Sequence, residues 1–143
     1  MSTCVSHAVR LSCRTPTGRC VTLAARLGYD SADPWAVSVC FVGSGDEIVW
    51  LLGRDLLLAG RYARVGEGDV LVGPAGDGVE IHFRSPAGSL RAVVGARALD
   101  TFLAATTALV APGAETLDRD RLVAALELPR QLPLPDRDQS SPC

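Results

Sequence analysis

Residues 28–60 read GYDSADPWAVSVCFVGSGDEIVWLLGRDLLLAG. The segment Tyr29-Asp30-Ser31-Ala32-Asp33-Pro34 concentrates turn formers. Asp and Ser side chains bond to the backbone two residues on, and proline presets φ. Trp35, Val37, Val39 and Phe41 then alternate with Ala36, Ser38 and Cys40, the period of a half-buried strand. Gly43-Ser44-Gly45-Asp46 supplies residues that tolerate a tight hairpin, and Glu47–Leu52 returns as the next strand. Arg54–Ala59 is too short to be a stable helix by itself. Leu56, Leu57 and Leu58 can hold it against a sheet, and Gly60 suits the position after the helix. The stretch is a turn, a hairpin and an anchored helix, and nothing in it has the makings of a catalyst.

The flanks extend the same sheet. Val5, His7, Val9, Leu11 and Cys13 alternate as a strand with one inward face, and His7 falls on the apolar side as a core or rim histidine. Thr15-Pro16-Thr17-Gly18 is a turn into a second strand over Arg19–Arg26. Beyond Gly60, Arg61–Gly68 reads as a polar connection and Asp69–Gly73 as a short strand broken by Pro74. Asp77-Gly78 signals a hairpin turn. Val79, Ile81 and Phe83 alternate with Glu80, His82 and Arg84, which places His82 on a solvated face. Pro86-Ala87-Gly88 turns that strand into Ser89–Val94.

The period then lengthens. Leu99, Phe102, Leu103, Thr106, Leu109 and Val110 fall on one helical face within Ala96–Val110, and Pro112-Gly113 ends it. Asp118 is placed to cap a last helix, with Leu117 and Leu122 as a hydrophobic staple. Pro129, Pro133, Pro135 and Pro142 mark residues 129–143 as a flexible, Pro-rich tail beyond a single domain of residues 1–128. The expected class is α+β: a twisted, mainly antiparallel sheet of about seven strands, a short helical insert and two C-terminal helices.

Composition narrows the chemistry. The chain has 143 residues, 48% hydrophobic and 21% charged, with a formal net charge of −2. These proportions fit one globular domain. All fourteen basic residues are arginine, which excludes a Walker A loop, a Schiff-base lysine and a lysine general base. No apolar run approaches a membrane span. The N-terminal residues lack a secretory pattern, so the expected compartment is the cytoplasm. The five cysteines form no C-x-x-C pair and read mostly as small packed thiols. A zinc site from Cys4, His7, Cys13 and Cys20 matches no structural spacing.

His7 and His82 are the only histidines, and there is no G-x-S-x-G elbow. Gly66-Glu67-Gly68-Asp69 precedes a strand rather than a helix, and its carboxylates would repel a phosphate. Asp30 and Asp33 read as turn formers rather than an acid–base pair. No catalytic residue, cofactor or metal is expected. The arginines are scattered along the sequence and aromatics are 5%, which disfavours direct nucleic-acid binding.

Several segments occur in an order that resembles a known family. They are Tyr29-Asp-Ser-Ala-Asp-Pro-Trp-Ala-Val37, Val49-Trp50, Arg54-Asp55-Leu56-Leu57, Gly60 and Gly66-Glu-Gly-Asp-Val70. Ser85-Pro86-Ala-Gly88, Ala98-Leu99, Phe102-Leu103, Thr106 and Pro112-Gly113-Ala-Glu115 follow. Together they are similar to the SsgA/SsgB-like sporulation and cell-division proteins of actinomycetes, over roughly residues 3–127. Trp35, Leu52-Gly53 and Gly73-Pro74 depart from the usual family residues, as in a divergent paralogue.

The resemblance implies a whirly-like fold that assembles as a homotrimer. It implies a non-enzymatic regulator at the division septum, with FtsZ or other family members as partners. The alternative it leaves is a nucleic-acid-binding or DNA-segregation module that uses the whirly-like sheet. Tyr29, Asp30, Asp33 and Pro34 are the family-signature turn. Arg54 and Asp55 are the candidate partner surface or, alternatively, an internal structural lock. In the lock, Asp55 favours the helix dipole and Arg54 reaches a neighbouring carboxylate.

Overall fold

A computed structural model describes residues 3–43 and 47–116. The elements are β1 (Cys4–Arg14), β2 (Cys20–Asp30), β3 (Ala36–Val42), β4 (Ile48–Gly53), α1 (Arg54–Gly60), β5 (Val65–Glu67), β6 (Val70–Ala75), β7 (Gly78–Ser85), β8 (Gly88–Gly95) and α2 (Ala96–Leu109). The eight strands form one sheet in the order β4-β3-β2-β1-β8-β7-β6-β5. Every pairing between neighbours is antiparallel. The last helix expected from Asp118 and the Pro-rich tail lie outside the described residues.

Alternation sends one set of side chains inward. Leu11, Leu27, Val37, Val39, Ile81 and Val94 are among the residues buried on that face. The sheet curls until its two halves touch. Phe83 of β7 meets Trp50 of β4, with ring centroids 4.9 Å apart, and Phe41 of β3 at 5.5 Å. The result is a half-barrel. Helix α2 lies against β1, β7 and β8, while α1 lies against β4, β5 and β6. Leu99, Phe102, Leu103 and Thr106 carry α2 into the core, and the His7 ring stands edge-on to Phe102 at 5.4 Å.

The sheet has eight strands where the sequence reading expected about seven. The added strand is β5, inside the expected polar connection. It has only three residues and pairs through Val65↔Val72, too short to show a period. Strand β6 also runs through Pro74 to Ala75 rather than stopping at the proline. β5 pairs only with Val70, Leu71 and Val72, so β6 has a free edge at Pro74, where a missing N–H is tolerated.

Strand β2 continues to Asp30 because Leu27 and Tyr29 keep the inward alternation. Tyr29 and Asp30 therefore end a strand, and the tight turn occupies residues 31–35. The β6–β7 hairpin loop is Gly76-Asp77, closed by the Ala75↔Gly78 pair, with φ +61° at Gly76. Gly60 belongs to α1 and is buried; a Cβ there would overlap the Val72 side chain. Close approach of helix to sheet, rather than a left-handed helix end, is what requires glycine.

Candidate functional site

Arg54, the first residue of α1, is wholly buried. Its backbone N–H donates to the Trp35 carbonyl at 2.7 Å, so the start of α1 is tied to the turn before β3. Its side chain runs to the far end of α2. Nη1 donates to the Val110 carbonyl at 2.6 Å and to the Thr106 carbonyl at 3.3 Å. Nη2 donates to Glu115 Oε2 at 2.6 Å. The last carbonyls of a helix lack partners within it, and a cation there also meets the negative end of the helix dipole. Arg54 thus caps α2 from across 52 residues of sequence.

The second oxygen of Glu115, Oε1, accepts from the Gly113 backbone N–H at 2.9 Å. The hydrogen bond from Arg54 is the main reason that the Glu115 carboxyl titrates below its usual range. Arg54 Nε is buried and has no hydrogen-bond partner among the described residues. The guanidinium carbon stands 5.0 Å from the centre of the Tyr29 ring, within reach of a cation–π contact.

Tyr29 carries the knot back into the signature segment. Its hydroxyl donates to the Pro34 carbonyl at 2.9 Å. Burial is the main reason that the phenol is held above its ordinary value, with Arg54 opposing. Asp30 Oδ1 accepts from the Ala32 N–H at 2.8 Å, a side-chain turn of the kind expected at that position. The Asp33 carbonyl accepts from Ala36 N–H at 3.3 Å, and Pro34 is buried. The structure therefore brings Tyr29, Pro34 and Arg54 together. Asp55 stands apart, exposed in the first turn of α1.

His82 differs from its expected solvated position. It is only 8% exposed, flanked in register by Leu71 of β6 and Arg91 of β8. Burial first, and Arg91 and Arg84 next, lower its basicity, and its Nδ1 has no hydrogen-bond partner among the described residues. Its register neighbours, Leu71 and Arg91, are not nucleophiles. Among the described residues no cluster of three or more His, Cys, Asp or Glu side chains could hold a metal ion. No described helix is long and apolar enough to cross a membrane.

The arginines are less scattered in space than in sequence. On the outer face of the sheet, Arg14 stands opposite Arg91, and Arg91 opposite His82. Arg10 and Arg26 lie on the same face, at Arg10↔Ala24 and Ala8↔Arg26. The same alternation that buries Leu11 and Leu27 puts these arginines outside. That signal was present in the strands, but strand order was needed to see that the arginines are neighbours.

The curled sheet with one internal helix and one following helix has solved counterparts. A solved SsgA-like sporulation-specific cell division protein from Thermobifida fusca aligns with a TM-score of 0.78 at 34% identity, covering 87% of this chain and 96% of that one. A structure solved in connection with SsgB mutations that correlate to longitudinal cell division during sporulation of Streptomyces coelicolor aligns at 0.75 and 38% identity, covering 80% and 94%.

The family model for the Streptomyces sporulation and cell division protein SsgA matches residues 23–115. The sporulation-specific cell division protein SsgB of Streptomyces coelicolor is 39% identical over 120 residues, 80% of this chain and 88% of its own length. SsgB of Kineococcus radiotolerans is 36% identical over 126 residues, 82% and 76% of the two chains. The chain belongs to the SsgA family and is SsgB-like over most of its length.

Proposed function

We propose that this protein is a non-enzymatic adaptor in septum-site selection or septal wall remodelling. It acts in the cytoplasm, at the division septum, by binding division proteins such as FtsZ or sister members of the family. The observation that carries this reading is the similarity to sporulation-specific cell division proteins across about four-fifths of the chain. Fold alone would not assign a function.

The geometry at Arg54 favours the lock among the two roles considered for Arg54 and Asp55. A guanidinium with no exposed surface holds α1, α2 and the signature turn in one arrangement, and a partner would read the surface they shape. Asp55, being exposed, remains available to a partner. Assembly as a homotrimer is part of the proposal, and sedimentation equilibrium checks it.

The test of the adaptor reading is a pull-down from sporulating cells with the purified protein as bait. Specific recovery of FtsZ, a sister protein or a wall-synthesis protein supports it. Recovery of none of these sinks it. A second reading, a nucleic-acid-binding module, draws on the arginines gathered on the outer sheet face. An electrophoretic shift with single-stranded and duplex DNA at low salt tests it; no shift at micromolar protein discards it.

A further inference from the structure

The outer face of the half-barrel carries no helix among the described elements; both α1 and α2 lie on or beside the inner one. Across β3, β2 and β1 this face has a fixed layout. One row runs Val42↔Ala24↔Arg10, and the next runs Val49↔Cys40↔Arg26↔Ala8. Val42, Ala24 and Ala8 floor a shallow groove of about 380 Å³, with Arg10 and Arg26 on it. Val42 is 46% exposed, and on the edge strand Val49 and Leu51 are 55% and 66% exposed. Exposed apolar edge strands are uncommon unless something covers them.

The charges on this face are lopsided. Arg10, Arg14 and Arg26 form no ion pair among the described residues. Arg14 is directly opposite Arg91, and like charges so placed oppose folding. The carboxylates on the strands of this face are already engaged. Glu80 is held by Arg91 at 3.1 Å, with Arg64 at 3.9 Å, and Asp30 by the Ala32 N–H. Glu47 lies at the margin beside Cys40.

We infer that this groove and its flanking arginines dock an acidic protein segment in which carboxylates are interleaved with apolar side chains. The inference rests on the adaptor reading and names the surface through which it works. Charge complementarity selects the occupant. A second copy seated face to face would set arginines against arginines; a copy joined through unlike surfaces, as in the proposed trimer, is the alternative that the oligomeric state of the double variant tests. Residues 117–143 of this chain carry five acidic and four basic side chains, too balanced to answer the excess. A nucleic acid would satisfy the arginines. It would leave Val42, Val49 and Leu51 uncovered, however, and no aromatic side chain stands on these rows for its bases to stack on.

The full-length protein, immobilised, is used to select a phage-displayed library of random dodecapeptides, with oligo-dT as competitor. The expected result is enrichment of Asp and Glu interleaved with Leu, Ile or Phe. Affinity of a selected peptide should fall by about tenfold or more for Arg10→Glu/Arg26→Glu, and also for Val42→Asp. Peptides without acidic enrichment, or indifferent to these variants, overturn the proposal. So does oligo-dT displacing them, or a change of oligomeric state in the double variant.

Circular dichroism and melting of each variant confirm that it folds. Arg10→Gln/Arg26→Gln replaces any variant that does not, under the same criteria. Both baits are then used on sporulating cells. If wild type and double variant recover the same division proteins equally, the surface assignment fails and the adaptor reading stands. If wild type recovers none, the adaptor reading fails, while the peptide selection still decides what the groove binds.

Discussion

The knot at Arg54 and the outer face of the sheet use the same residue in opposite ways. Arg54 is wholly buried, and its Nη groups meet two backbone carbonyls and a carboxylate. Burial makes those bonds obligatory, because an unpartnered group there would carry its full desolvation cost. Arg10, Arg14 and Arg26 are exposed, unpaired among the described residues, and beside apolar side chains that are also exposed. Water solvates them at little cost to the fold. The buried charge of Arg54 fixes elements to one another, whereas on the outer face Arg91 is held by Glu80 and Arg10, Arg14 and Arg26 form no ion pair among the described residues.

The largest expected effect tests the first half of that contrast. Arg54→Ala should leave the Val110 carbonyl and Glu115 Oε2 without the guanidinium donor, with the Thr106 carbonyl keeping only the Val110 N–H, and should open a cavity. We expect a loss of about 3 kcal/mol, read as a lower melting temperature and as faster amide exchange at the C-terminal end of α2. A melting curve unchanged from wild type would remove the lock from the account.

Glu115→Gln is expected to cost less, because the two backbone carbonyls still hold the guanidinium. Its signature is in pH. The Glu115 carboxyl is lowered from about 4.5 in the folded protein. Below that value the unfolded chain takes up the proton first, so wild-type stability falls as pH drops from about 4.5 through the folded value. Melting curves of the Gln variant should lack that component of the slope.

His82 gives the corresponding test on the outer face. Its folded basicity lies below the usual 6.5, through burial and then Arg91 and Arg84. The unfolded chain again binds the proton first. Wild-type stability should therefore decline as pH falls below about 6.5 and level off below the folded value. His82→Leu should flatten that window and leave the more acidic one due to Glu115 intact.

The smallest expected effect is a gain. Arg14→Ser removes a like charge directly opposite Arg91 and should stabilise by a few tenths of a kcal/mol. Raising the salt concentration should erase the difference by screening the pair. A loss of stability would mean that the side chain contributes more by packing than it costs in repulsion.

Much of the fold was legible because strand period and turn chemistry are local. Val37, Val39 and Phe41, like Val79, Ile81 and Phe83, declare their buried face by alternation. Leu99, Phe102 and Leu103 declare theirs by helical spacing. The misreadings have local causes too. β5 is too short to show a period. Pro74 looks like a strand breaker until β5 is seen to stop short of it. His82 looks solvated because alternation tells which face a side chain is on, not whether its neighbours cover it. Leu71 and Arg91 come from other strands.

The candidate sites divide in the same way. The Tyr29–Pro34 segment, the start of α1 at Arg54 and the Glu115 motif were all visible as separate stretches. Their meeting was not, because Arg54 and Glu115 are 61 residues apart. Sequence by itself determined which residues turn, which alternate and which face of each element is apolar, since these depend on neighbours along the chain. Only the tertiary structure decided that one arginine caps a distant helix while others share an open face. Burial and ion pairing depend on neighbours in space, and strand order and curl set those neighbours.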